Sequence, residues 1–263
     1  MFRSCLAIFA LSLATPALAE EAREFCADRP GLGTPACTLA PGKAMVEIGA
    51  AAWDRSRDAT SIDDEITLGD TLLRLGVTET TELQFGLTGH VIQRSRDRTT
   101  GAVDRVSGLG DGMIAVRQGL AGPNGNIALQ AYVTVPLAKQ PIGSGEWSGG
   151  LLLPFGFDLP SGFELDFTPE IDLAANENRG GHHLAWGGVI GVTHDLAEDL
   201  SLTGELGALR DEDPSGHSTD ARLALSLAWQ PVERFQIDFE ADAGLSDGAP
   251  DHSLAIGLAW QFR

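Results

Sequence analysis

Along much of this chain apolar and polar residues alternate one for one. In 221–230, Ala221, Leu223, Leu225, Leu227 and Trp229 interleave with Arg222, Ala224, Ser226, Ala228 and Gln230. In 235–245, Phe235, Ile237, Phe239, Ala241, Ala243 and Leu245 are set against Gln236, Asp238, Glu240, Asp242 and Gly244. The stretch 163–173 opposes Phe163, Leu165, Phe167, Ile171 and Leu173 to Glu164, Asp166, Thr168, Glu170 and Asp172. The chain end does the same with Leu254, Ile256, Leu258, Trp260 and Phe262. A period of two sustained over about ten residues places successive side chains on opposite faces of a strand and excludes a helix.

The same rule predicts about twelve strands, near 44–52, 66–77, 82–93, 110–120, 126–137, 147–158, 163–175, 183–195, 200–209, 220–230, 235–245 and 252–262. Their length suits a tilted crossing of a bilayer. The connections alternate in kind. Those at 78–81, 121–125, 159–162, 197–199 and 231–234 are tight. Those at 54–65, 94–109, 138–146 and 210–219 are longer and rich in charge, glycine or proline, with 176–182 and 246–251 the short members of that set. Short periplasmic turns alternating with longer extracellular loops define an outer-membrane barrel, and an even strand count puts both termini on the periplasmic side. The expected fold is therefore all-β, an up-and-down antiparallel transmembrane barrel. Phe157, Phe163, Trp229, Phe235, Trp260 and Phe262 cluster at the turn-side strand ends, with Trp147 and Trp186 at the loop side. Aromatic rings at both edges of an apolar band anchor a protein at the two membrane interfaces.

Composition sharpens this. The 263 residues carry 37 carboxylates against 18 basic groups, a formal net charge of −19, which excludes nucleic acid as a partner. The 32 glycines and a mean hydropathy near zero exclude a membrane helix but suit strands that average their two faces.

The N-terminus sets the compartment. Met1-Phe2-Arg3, the apolar run 5–13 and Ala17-Leu18-Ala19 have the three-part layout of a secretory signal peptide over 1–19. Its removal takes Cys5 and leaves Cys26 and Cys37. In an exported chain these are expected to form a disulfide across a loop holding Pro30, Gly31, Gly33 and Pro35. The alternative, half of a metal site, lacks nearby histidines. Residues 20–43 then form a periplasmic segment that can reach into the barrel as a plug, with the barrel itself over 44–263.

If the apolar face meets lipid, parity assigns the other face to the lumen. That face includes Asp70, Arg74, Glu82, Asp111, Arg117, Glu164, Asp166, Glu170 and Asp172. It continues with Glu205, Arg222, Asp238, Glu240 and Asp242. Carboxylates predominate, so an open lumen is expected to disfavour anions and admit cationic or neutral small solutes. The competing reading is a filled lumen in which the acids pair with the arginines. No catalytic residue, cofactor or metal site is expected. The histidines lie at strand ends and loops without a Gly-x-Ser-x-Gly motif, which weighs against an outer-membrane hydrolase.

Several stretches resemble a known family. Residues 29–42 (RPGLGTPACTLAPG), 68–76 (LGDTLLRLG) and 99–111 (TTGAVDRVSGLGD) are similar to transporter-like outer-membrane proteins of the phenol-degradation meta-pathway family, as are 141–145 and 208–211. The resemblance runs from about Arg29 to the end. It implies an outer-membrane channel or transporter for small solutes, by name linked to aromatic compounds, with outer-membrane lipid around it and the barrel-assembly machinery as partner during biogenesis. It supplies no catalytic or binding motif. A non-conducting structural or adhesion barrel is the alternative. The chain departs from many such barrels in placing Arg263 after the terminal aromatic Phe262.

Overall fold

The computed structural model describes residues 23–178 and 180–262, so the expected signal segment 1–19 lies outside the described residues. Twelve antiparallel strands form one closed barrel. They are β1 (Ala44–Arg57), β2 (Ser61–Gly76), β3 (Thr81–Leu87 and His90–Asp97), β4 (Val103–Leu109 and Gly112–Gly119), β5 (Ala128–Val135) and β6 (Ser148–Leu152 and Phe155–Leu159). The second half comprises β7 (Phe163–Ala175), β8 (His182–Ala197), β9 (Leu200–Asp211), β10 (Ser218–Val232), β11 (Phe235–Gly244) and β12 (His252–Phe262). Closure is made by β1, which pairs with β2 on one side and with β12 on the other, from Ala44↔Phe262 to Arg55↔His252. In lipid no water is available to satisfy a free strand edge, so closure is what lets this backbone cross a membrane.

The barrel is inside-out relative to a soluble protein. Its exposed large side chains are apolar, among them Ile114, Val133, Ile190, Leu206, Leu225 and Ile256, while Glu47, Arg74, Glu82, Arg117 and Asp238 are buried. An apolar surface of this extent is stable only against lipid. The aromatic ends pack where expected. Phe235 meets Trp260 edge-on at 6.5 Å, Trp260 stacks on Phe262 at 5.4 Å, and Trp229 donates its indole N–H to Asp199. Pro154, which has no N–H for the ladder, divides β6 without reversing its faces.

Two expectations are corrected. Residues 54–65 and 94–109, expected as loops, are largely strand: β1 and β2 run on to a three-residue turn, and β3 and β4 to a five-residue one. A strict period of two also fails there, because β1–β4 all kink at one level. Ala50 and Gly69 drop out of the ladder between the pairs Gly49↔Asp70 and Ala51↔Leu68. Beside them, Thr88 and Gly89 interrupt β3, and Gly110 and Asp111 interrupt β4. The strands press together at this kink. A Cβ on Gly89 would lie 2.1 Å from the Leu68 carbonyl oxygen, and Gly69 takes a φ of +73°, where glycine is favoured. Register among β1–β4 is unchanged beyond the kink, whereas β1 shifts by one residue against β12 between Gly49 and Ala51, and the facing of β1–β4 reverses. Glu47 below it points inward, while Trp53 above it lies opposite Leu254 of the lipid face.

Candidate functional site: the barrel interior

Residues 23–43 enter from the turn side of the barrel and are held within it. The Cys26–Cys37 disulfide closes their loop. One wall, built by β1–β5, grips the two stems of this loop. Arg74 is fully buried and donates from Nε and Nη2 to both oxygens of Glu82 at 3.0 Å. Its Nη1 donates to the Cys26 carbonyl at 2.8 Å and lies 2.8 Å from Asp28 and 3.2 Å from Glu47. Arg117, equally buried, grips Asp28 with both terminal nitrogens at 2.8 and 2.6 Å. Its Nε donates to Gln130 and its Nη1 to the Cys37 carbonyl. Glu47 accepts the backbone N–H groups of Asp28 and Arg29, and Glu82 accepts that of Leu39. Burial opposes the charge on Asp28, but Arg117 and Arg74 outweigh it and hold the carboxyl below its ordinary range. At the entrance Leu39 packs with Met45 and Ala259, flanked by Phe25 and Ala27.

The tip of the loop crosses to the opposite wall. Glu205 on β9 accepts the N–H groups of Leu32 and Gly33 at 2.8 and 2.9 Å, and Glu240 on β11 accepts that of Gly31 at 2.7 Å. Thr168 on β7 both donates to the Thr34 carbonyl and accepts its N–H. Arg29 pairs with Asp238 at 3.0 Å, and Gln236 donates to the Arg29 carbonyl. The segment packs closely on the wall, and the backbone at its tip favours glycine. At Gly31, with φ +121°, a Cβ would fall 2.6 Å from a Glu205 oxygen. The Arg29 side chain lies over Gly257 in the same way, 2.4 Å from where a Cβ would stand.

Of the residues singled out in the sequence, Arg74, Glu82, Arg117, Glu205, Asp238 and Glu240 therefore meet on the N-terminal segment. Asp70 sits beside Arg29 across Gly49. Glu164 and Asp166 line a cavity of about 880 Å³ left between the segment and the walls, together with Asp158, Thr193 and Thr203. Nearer the loop side, Asp172 accepts the Tyr132 hydroxyl at 2.7 Å next to Glu170, while Arg222 pairs with Asp220 near Asp242. Asp111 does something different. It accepts the N–H groups of Ala138 and Ser144 and the Ser144 hydroxyl, which ties the connection 136–147 to the kink. That connection lies inside the mouth, with Ile142 against Gly108 and the Pro141 carbonyl accepting from Gln93. On the loop-side rim His183 meets Asn176 at 2.9 Å, close to Asp211 and Asp213.

Asp28 and Arg29 escape a reading by strand parity because they lie in no strand. The signals for them are their position between the two cysteines and, for Arg29, its place at the start of the family-like stretch 29–42.

The pattern of one protein family, described as "Putative MetA-pathway of phenol degradation", matches residues 27–262. No curated protein sequence matches the chain significantly. Among solved structures the fold is similar to the COG4313 outer membrane channel from Pseudomonas putida F1, with a TM-score of 0.64 at 13% identity, covering 86% of this chain and 97% of that one. It is also similar to the beta domain of the Bordetella autotransporter BrkA, with a TM-score of 0.59 at 14% identity, covering 84% and 100%. The translocator domain of the autotransporter NalP from Neisseria meningitidis gives 0.54 at 13% identity, covering 85% and 90%. These identities carry the fold alone, and the fold is that of barrels of the Gram-negative outer membrane. With the match spanning nearly all of the described residues, the chain belongs to the phenol-degradation MetA-pathway family of outer-membrane β-barrels.

Proposed function

We propose that this protein is a narrow outer-membrane channel for small cationic or neutral solutes, restricted by its own N-terminal segment. The carrying observation is how charge is distributed inside the barrel. The two deepest arginines, Arg74 and Arg117, are committed to Asp28, Glu47 and Glu82. Glu164 and Asp166, which border the remaining cavity, and Glu170, Asp172 and Asp242, on the interior face nearer the loop side, form no ion pair among the described residues. Confined carboxylates attract cations and repel anions, and field lines focus in a low-dielectric wall. Neutral aromatic compounds, which the family description brings to mind, meet no charge barrier on such a path. Trp260 and Phe262 near the end of β12 support delivery to the membrane through the barrel-assembly machinery, although Arg263 follows them.

A non-conducting barrel is the competing reading, favoured by the loop that reaches both walls. Conductance decides between them. Purified protein in a planar bilayer under a salt gradient is expected to pass current with a reversal potential of cationic sign. Absence of current above the bare bilayer, in either polarity, excludes the channel; anionic selectivity excludes the role given to the acids.

A further inference from the structure

Above the kink in β1–β4 the barrel wall carries charge in an unusual arrangement. Alternation continues through 53–57, 62–66, 92–96 and 103–107, but because facing has reversed, the acids turn inward and the arginines outward. Asp54 bonds Ser253 across the interior face, and Gln93 reaches Glu65 and the inward connection. On the outside the register aligns Arg55, Asp64, Arg94 and Arg105 in one row, and Arg57 and Arg96 in the next row toward the loops. Five of the chain's 18 basic residues thus occupy one outward sector, with Asp64 as its only carboxylate. Asp64 engages Arg55 at 2.8 Å and Arg94 at 3.5 Å; Arg57, Arg96 and Arg105 form no ion pair among the described residues. Like charges placed this closely repel one another, and an anion between them removes that cost.

Position names the anion. The row immediately below runs Trp53, Ile66, Ile92 and Ser107, with Trp53 aligned with Leu254 of the lipid face, and Arg55 stacks on Trp53 with its guanidinium carbon 5.0 Å from the ring centre. Tryptophan at such a height marks the membrane interface. At about 3.3 Å of rise per residue the arginine rows stand roughly 7 and 13 Å beyond that layer before strand tilt is counted, at the depth of lipid headgroups. Three interstrand steps of about 4.8 Å separate Arg55 from Arg105, a width that accommodates two phosphates. The loop side of an outer-membrane barrel faces the leaflet made of lipopolysaccharide, whose lipid A carries phosphates on both sugars. Arginine's planar fork suits bidentate phosphate binding.

We propose that this outward arginine sector binds the lipid A phosphates of lipopolysaccharide. The site is independent of whether the lumen conducts. Its test uses the full-length mature barrel in detergent with deep-rough lipopolysaccharide, with binding followed by native mass spectrometry and thermophoresis. Arg94→Gln, Arg96→Gln and Arg105→Gln combined are expected to weaken binding at least tenfold while heat-modifiable migration stays as in the unsubstituted protein. Lipid A stripped of its phosphates should bind the unsubstituted protein as weakly as intact lipid A binds the variant. Should the triple variant fail to fold, Arg57→Gln with Arg105→Gln removes two unpaired charges and is expected to weaken binding about threefold or more. Affinity unchanged in a folded variant, equal binding of phosphate-free lipid A, or full displacement by millimolar inorganic phosphate would each overturn the proposal.

Discussion

At the scale of single residues, the interior is organised by two arginines that touch no solvent. A buried guanidinium is tolerable only when each donor finds an acceptor, and Arg74 and Arg117 find theirs half on the wall and half on the entering segment. Removing one partner of such a pair leaves the other uncompensated, at a cost of about 3–5 kcal/mol in a dry interior and toward the lower end beside a wet cavity. Arg117→Met is therefore expected to release Asp28 and the loop stems. The checks are a lower temperature for loss of the folded gel band and a higher single-channel conductance. Neither partner was legible beforehand: parity pointed Arg74 and Arg117 inward, but not at Asp28. Titration offers a second prediction, on the loop-side rim. Asp213 is held at about 2 by the Ser215 hydroxyl and N–H and the Glu177 N–H, and Asp58 at about 2 by the N–H groups of Ser61 and Thr60 and the Thr60 hydroxyl. A carboxyl depressed on folding stabilises the ordered loop above its unfolded value near 3.9, and that contribution fades as pH falls toward 2. Amide exchange around 58–61 and 213–216, corrected for intrinsic rates, should quicken between pH 4 and pH 2 while the strands stay protected.

At the scale of elements, alternation decides what each strand shows to lipid. On β10, Leu225 is 54% exposed on the outer face, while Thr203 on the neighbouring β9 borders the interior cavity. Leu225→Arg should cost about 2–4 kcal/mol near the bilayer midplane, and Thr203→Arg much less. Equal yields of heat-modifiable barrel from both variants would contradict the facing. The strands of the second half lie within two residues of their expected limits because their period is interrupted only near strand ends, at 195–197 and 229–232. The kink in β1–β4 did not announce itself. Gly69, Gly89 and Gly110 are unremarkable among 32 glycines, and only their side-by-side placement, through the pairing of consecutive strands, shows that four strands bend together. The charged stretches beyond it read as loops because they are dense in charge and rich in aspartate, which is depleted in strands. The neighbouring strands impose the pairing.

At the scale of the whole molecule, the disulfide matters through the path of the segment it closes. A cross-link spanning 11 positions removes roughly 3 kcal/mol of disorder from the free chain in the entropy account. It presents Gly31 to Thr34 as a preformed tip to Glu205, Glu240 and Thr168. Cys37→Ser is expected to leave the barrel folded, since closure of the strands does not involve the segment, and to give larger, noisier current steps. Currents identical to the disulfide-bonded form would show that the tip does not limit the path.

What the sequence determined by itself was what depends on an unbroken local period: twelve strands, which face is apolar outside the kinked stretch of β1–β4, the aromatic ends and hence the membrane. Those follow from one chemical fact, that a strand in lipid must turn every second side chain outward. The tertiary structure alone decided which inward charges meet, that the cysteine loop reaches from one wall to the other, and that the arginines of β1, β3 and β4 face out. Each of these depends on contacts between residues tens to hundreds of positions apart, and no pattern along the chain encodes a distance across the barrel.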